Sequence, residues 1–545
     1  VPASFDRADH VRRLAEGTFD VVVVGGGITG AGAALDAASR GLRVAIVERD
    51  DWASGTSSKS SKLVHGGLRY LQQGDVRLVY EALHERQRLR RNAPHLVKVL
   101  PFMIPILTRD GVVSPKIARA LGSAMWMYDL TGGWRIGKLH RRLRKPAALA
   151  HMPTMPDQRL ASAYLYYDAA VDDARLVLTV VRTAVEHGAV AANRCAVVGM
   201  THRDDMVELQ LSVDGRHITC TTRTVINAAG VWADDVRQLD EGVHPHSIRP
   251  AKGVHLTVPW HKVRNDIAVV IPVPKDKRSL FLVPWGPRPD GTFEHTYIGT
   301  TDTDYDGPLD DPQCTSDDIA YVLRALNASV TTGVTEADVT GVWAGLRPLV
   351  NSAASGRTAD LSRRHQVITS ASRVVSVTGG KLTTYREMAE DAVDQVMVLL
   401  GRRRRSRTKR LPLLGAAGYR AQPSGTAAAH LADRFGSLAG EVHALITERP
   451  DLAEPLVAGL SYLRAEAVYA CRHEQATTVD DVLSRRTRAR LLDRDASVAA
   501  APAVAELLAA ELGWDATERQ RQLDAFLQSC AAEAAAGRAA AVEGV

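Results

Sequence analysis

The strongest pattern in the chain lies near its start. Residues 19–24, FDVVVV, form an apolar run dominated by β-branched side chains, and glycines follow at positions 25–27. An Ala-rich stretch of helical character comes next, and a second β-branched run closes at Glu48. This order predicts a strand, a tight turn, a helix and a second strand, a βαβ unit. Further on, DKRSLFLVPWGPRPDGTFEHTYIGTTD alternates two β-rich runs around a Pro/Gly/Asp turn. That is the pattern of hairpins in an antiparallel sheet. Beyond residue 410 the chain becomes Ala-rich with apolar positions near helical spacing, which predicts a helical region.

The glycines of the first turn have separate tasks. Gly25 permits the tight turn, Gly27 lets backbone N–H groups approach a pyrophosphate, and Gly30 permits close packing of helix on strand. Glu48, about 20 residues on, is placed to accept hydrogen bonds from a ribose hydroxyl. Together these features predict a dinucleotide site. The hydroxyl-rich loop that follows favours a flavin buried along its length over a nicotinamide cofactor that comes and goes. TVINAAGVWAD, residues 224–234, reads as a buried strand ending in small residues, with Ala229 and Gly230 suited to close passage by the adenine half of FAD.

Composition narrows the class. The chain has 545 residues, 45% of them hydrophobic, enough for a sizeable core, and its net charge of +6 permits anionic partners without demanding nucleic acid. Five cysteines, Cys195, Cys220, Cys314, Cys471 and Cys530, lie too far apart for a zinc ligand pair or a disulfide framework, so reduced cytoplasmic thiols and no metal are expected. The apolar run at 19–24 is far shorter than the ~20 residues of a membrane span, and no basic-then-apolar signal precedes it. A protein neither secreted nor transmembrane is expected.

At TSSKSSKLVHGGLRYL, residues 56–71, the sequence resembles the FAD-dependent glycerol-3-phosphate dehydrogenases, part of the larger D-amino-acid-oxidase-like flavoprotein class. VDDARLVL (171–178), IRPAKGVHLTV (248–258), IGTTDTDYDG (298–307), GLRPLV (345–350) and VTGGKLTTYREMAE (377–390) look like that family's blocks in the same order. The resemblance implies non-covalent FAD. It places Thr56, Ser57, Ser58 and Ser61 along the pyrophosphate and ribityl chain, and Leu63, His65 and Gly66 at the isoalloxazine. Such a strip needs many neutral donors and acceptors, because an unpaired buried polar group costs about 1–3 kcal/mol. The backbone at Gly380, Lys381, Leu382 and Thr383 is expected beside the flavin pyrimidine edge, where a cation or amide donors favour the anionic reduced flavin.

The implied substrate, sn-glycerol 3-phosphate, requires cations for its phosphate and a base for its C2 hydroxyl. Arg69, Tyr70 and Arg347 resemble the family's phosphate-binding positions, and Lys381 is implied in the same pocket. Guanidinium offers phosphate two parallel donors and keeps its charge at every working pH. His255 is the first choice of base, with His65 as competitor, since imidazole titrates near operating conditions. The expected reaction gives dihydroxyacetone phosphate and reduced FAD. The resemblance implies reoxidation by a membrane quinone and peripheral attachment to the inner face of the plasma membrane. Alternatives are an oxidase branch passing electrons to oxygen, a flavin oxidoreductase of another hydroxy or amino substrate, and a non-enzymatic flavin-binding scaffold.

The expected fold class is α/β: a Rossmann-like FAD-binding domain interleaved with an antiparallel-sheet substrate domain over 1–400, then an α-helical C-terminal domain over 411–530. GRRRRSRTKR, 401–410, is expected as a basic linker and 531–545 as a low-complexity tail. The C-terminal domain is assigned to packing or assembly, including a homo-oligomer. Trp126, Met127, Tyr128 and Trp134, among Arg and Lys, are expected to seat a surface on anionic lipid headgroups.

Overall fold

A computed structural model describes residues 3–67, 75–107, 115–274, 276, 278–350 and 365–538. The first apolar run forms the strand Val21–Val24, buried along its whole length, and the second forms Val44–Val47. They pair in parallel at the centre of a six-stranded sheet completed by Val190–Ala192, Val225–Asn227, Val374–Thr378 and the antiparallel edge Gln366–Thr369. Successive strand side chains point to opposite faces, and here both faces are covered. Val21 and Val23 pack into the core formed with helices Ile28–Ser39, Asp173–Glu186 and Tyr385–Leu399. Val22 and Val24 face Leu209, Leu211 and Val213 of the second sheet, built on strands Cys195–Arg203, Met206–Val213 and Arg216–Thr222. Strands buried on both faces must be apolar throughout, which accounts for the unbroken valines.

A larger, mostly antiparallel sheet forms the second unit, and its strands come from segments interleaved with the first. The expected hairpin is present as Ser279–Pro287 paired with Phe293–Gly299. Strand Ile248–Pro259 lies between Phe293–Gly299 and Gly341–Val350, so His255 sits opposite Gly299 on one side and Trp343 on the other. Helix Ser316–Asn327, opened by a capping box at Thr315 and Asp318, covers one face of this sheet.

The C-terminal part is helical, with its own apolar cores. Helix Ala516–Ala536 takes in the first residues of the low-complexity segment and buries Cys530 and Glu533. The basic run packs back on the parallel-sheet unit: Arg402 donates to Asp20 at 3.1 Å and Arg404 to the Arg40 carbonyl at 3.0 Å. All five cysteines are free thiols. Among the described residues no helix is long and apolar enough to cross a membrane.

Candidate active site

A cleft of about 720 Å³ opens where the parallel strands end, bordered by Gly25, Gly27, Glu48, Thr56, Ser57, Ala229, Gly230 and the 379–382 turn. Ligands of open α/β sheets bind at these carboxyl ends. The turn that shapes it tolerates little but glycine. Gly25 has φ +111°, and a Cβ there would lie 2.6 Å from the Ala228 carbonyl oxygen. A Cβ on Gly30 would lie 1.9 Å from the Gly25 carbonyl oxygen, because the helix packs directly on the turn. Gly27 carries no side chain to cap helix Ile28–Ser39, and the Ser57 hydroxyl accepts from the Ile28 N–H at 2.9 Å. Glu48 reaches over the turn and accepts from Gly26 N–H at 2.6 Å and Asp50 N–H at 2.8 Å. Burial pushes its carboxyl up to about 7, against those two hydrogen bonds. A cradle that a Cβ would fill, a helix start whose own N-cap residue has no side chain, and an acid reaching over the turn fit a dinucleotide such as FAD.

Behind this cleft the Ser58–Gly66 loop is fastened to the larger sheet. Thr56 Oγ1 donates to the Leu346 carbonyl at 2.5 Å, Trp343 Nε1 to the Ser60 carbonyl at 3.3 Å, and Tyr297 OH to the Ser61 carbonyl at 3.0 Å. Asp173 accepts from both the N–H and the hydroxyl of Ser60, at 3.1 and 2.7 Å. Gly66 N–H donates to Tyr128 OH and to Asp168, whose charge is balanced by Arg86, all buried. His65 and Thr383 bond reciprocally through backbone and hydroxyl, which ties the loop to the 381–384 turn.

His255 is buried at 2% exposure. Its Nε2 is 2.9 Å from the Ser61 hydroxyl, its ring stacks on Trp343 at 4.8 Å, and its Nδ1 has no partner among the described residues. Burial holds the imidazole well below its usual proton affinity, with Lys62 and Arg347 adding to the effect. Arg347 is tied to Asp302 at 3.1 Å and to Thr300 at 3.0 Å.

Residues 20–386 match the family described as FAD dependent oxidoreductase, and residues 406–519 match the C-terminal domain of alpha-glycerophosphate oxidase. A glycerol-3-phosphate dehydrogenase of Mycobacterium leprae is 41% identical over 95% of this chain and 89% of its own. The chain belongs to the FAD-dependent glycerol-3-phosphate dehydrogenase family. The glycerol-3-phosphate dehydrogenase of Bacillus halodurans, solved in complex with FAD, superposes with TM-score 0.76 at 29% identity over 97% of each chain. An L-alpha-glycerophosphate oxidase of Mycoplasma pneumoniae shares the fold, with TM-score 0.54 and 16% identity over 72% of this chain and 97% of its own. The fold is that of FAD-dependent flavoenzymes with a helical C-terminal domain, and FAD is the cofactor.

In this glycerol-3-phosphate dehydrogenase family member the expected residues fall into three groups. Gly25, Gly27, Glu48, Thr56, Ser57, Ala229, Gly230, Gly380, Lys381 and Leu382 line the cleft, with Gly30 packed beneath it. Ser58, Ser61, Leu63, His65, Gly66, Thr383, His255 and Arg347 lie around the loop behind it rather than on its lining. Arg69 and Tyr70 lie outside the described residues. Of the four aromatic and Met positions expected at a lipid surface, Trp126, Met127 and Trp134 are exposed, but Tyr128 is buried because its hydroxyl is claimed by Asp168.

Sequence reading missed Trp343, the platform under His255, and Gly299, where a Cβ would lie 2.1 Å from the His255 ring. It also missed Lys62, Asp173 and Arg488, which no short spacing links. Gly299, Asp173 and Lys62 stood within the matched blocks and were the available signals.

Proposed function

We propose that this chain oxidises sn-glycerol 3-phosphate to dihydroxyacetone phosphate and passes the electrons to a membrane quinone. The observation that carries the reading is one junction. The flavin-type cleft, the loop fastened behind it, and a neutral buried imidazole beside a guanidinium meet on paired strands. The names of relatives at about 40% identity supply the substrate. Bound FAD supplies the two-electron acceptor for the hydride leaving C2. Arg347, Lys381 and Arg69 hold the phosphate by charged donors, and Tyr70 adds a neutral hydroxyl. His255, kept neutral, accepts the proton of the C2 hydroxyl. The buried setting keeps water from competing for that proton.

An apolar face supports peripheral attachment. Val76 and Tyr80 of helix Val76–Asn92, Trp126, Met127 and Leu130 of helix Pro115–Thr131, and Trp134 stand exposed, and those two helices pack on each other. Exposed aromatic and aliphatic side chains beside arginines suit a lipid headgroup layer. Purified holoenzyme should bind anionic liposomes at low salt. After reduction by sn-glycerol 3-phosphate it should be reoxidised by a soluble quinone much faster than by air. Reoxidation by oxygen at turnover speed would assign the oxidase branch instead.

A further inference from the structure

The flavin-side loop carries a buried cation that the proposed reaction does not yet use. Lys62 is 3% exposed and has φ +55°. Its ammonium donates to the Ser58 carbonyl at 3.3 Å, lies 3.4 Å from Asp173 and sits 4.4 Å from the centre of the Trp343 indole. That indole also stacks on His255 and bonds the loop at Ser60. Asp173 is shared with Arg488, which is fully buried and comes from the helical C-terminal part. Arg488 donates to Asp173 at 2.5 Å and to the same Ser58 carbonyl at 2.6 Å. Arg488 also lies 3.4 Å from Asp172, so it is shared between two carboxylates, while the Lys62 ammonium acts on the nearby His255 where water screens its charge little.

We infer that Lys62 is a positioning residue of this active centre: it clamps the Ser58–Ser61 loop, fixes the state in which His255 meets substrate, and is itself anchored through Asp173 by Arg488. Every neighbour of His255 is consistent with this role. Strand Gly341–Val350 contributes the neutral Trp343 and the cationic Arg347, strand Phe293–Gly299 contributes Tyr297, and the loop contributes Ser61 and Lys62. Among the described residues no carboxylate is bonded to the imidazole, and the two charged groups acting on it, Lys62 and Arg347, favour the neutral ring. A base that arrives protonated cannot take the substrate proton, and a loop that drifts carries Ser61 away from Nε2. The C-terminal helices then do more than pack: through Arg488 they hold the cation that keeps the base ready.

The inference rests on the reading of His255 as the base, and the test separates the two. Holoenzyme with ¹⁵N-labelled histidine is titrated by NMR, with the His255 signal assigned from H255Q. The wild-type ring should stay neutral between about pH 6 and pH 8, whereas in K62M its midpoint should rise by about one unit or more. The acid limb of kcat/KM should move the same way, and K62R, which keeps the charge, should follow the wild type in both. An unchanged His255 titration in K62M overturns the inference. A shifted ring with an unshifted pH–rate profile keeps the coupling and removes His255 from the base role. If K62M does not hold FAD, K62Q is read in its place. Loss of FAD from both, with K62R intact, would assign Lys62 to folding alone and overturn the inference.

Discussion

The cofactor cleft and the seam with the helical C-terminal part are held by opposite kinds of chemistry. At the cleft, the glycine turn is held by backbone groups and the neutral Ser57 hydroxyl, and Glu48, which reaches over it, is pushed towards the protonated form. At the seam, Arg486 grips Asp51 with two bonds of 2.6 and 2.8 Å, Arg485 joins it at 2.6 Å, Arg175 meets Glu474, and Arg488 meets Asp173, all with little exposure. Burial opposes charge on Asp51, yet Arg486 and Arg485 hold it well below the usual carboxylate range. A site that must admit a polar cofactor is held by single, mostly neutral hydrogen bonds, whereas a permanent joint closes its charges on one another. Asp51 and Glu48 are three residues apart, so one short segment serves both.

The largest effect should come from breaking the seam. Arg486→Met removes the bidentate partner of Asp51 and leaves Arg485 as its only cation among the described residues, and should cost about 3 kcal/mol, the low end of the range for breaking a buried ion pair. It would be read as a lowered thermal midpoint, with FAD released at the same temperature. If the variant melted like the wild type, the seam would not be a permanent joint.

The two regions should also answer pH with opposite signs. Glu466, bonded to His430 and to Arg434, which meets Asp172 across the seam at 3.2 Å, is opposed by burial but pulled down to about 2. Its contribution is present above the unfolded value of 4.5 and lost as pH falls towards 2, about 3 kcal/mol at 1.36 kcal/mol per unit. Glu48 is raised to about 7, so its contribution is present below 4.5 and lost as pH rises through 7. Comparing apoprotein melts of E466Q and E48Q with the wild type from acid to neutral pH should show the first difference vanish in acid and the second change between 4.5 and 7. Parallel curves would dissolve the contrast.

A smaller, local effect is expected at Gly30→Ala. Its Cβ would press on the Gly25 carbonyl, and overpacking of this kind costs about 1–3 kcal/mol. The cost should fall on FAD affinity, measured by titrating apoprotein, more than on the melt of the helical part.

The same division explains what the sequence made legible. The heart of the cleft is local: a glycine turn, its helix and Glu48 lie within one βαβ unit, so their spacing announces them, although Ala229, Gly230 and the 379–382 turn join from far along the chain. The valine run exposes the sheet because both its faces must be apolar. The seam joins Asp51, Asp173 and Arg175 to Glu474, Arg486 and Arg488 in pairs about 300 to 435 positions apart, and an arginine in a basic chain looks the same whether solvated or buried. Tyr128 illustrates the limit. Its neighbours Trp126 and Met127 are exposed as expected, but only the distant Asp168 decides that Tyr128 turns inward.

The most direct test of the account is the anaerobic visible spectrum of the FAD-loaded protein on adding sn-glycerol 3-phosphate, with glycerol as the control. The account predicts bleaching of the oxidised-flavin band by the phosphate ester alone. A flavin that stays yellow, or one bleached equally by glycerol, would contradict the assignment of Arg347 and Lys381 to the phosphate and of the whole site to this reaction.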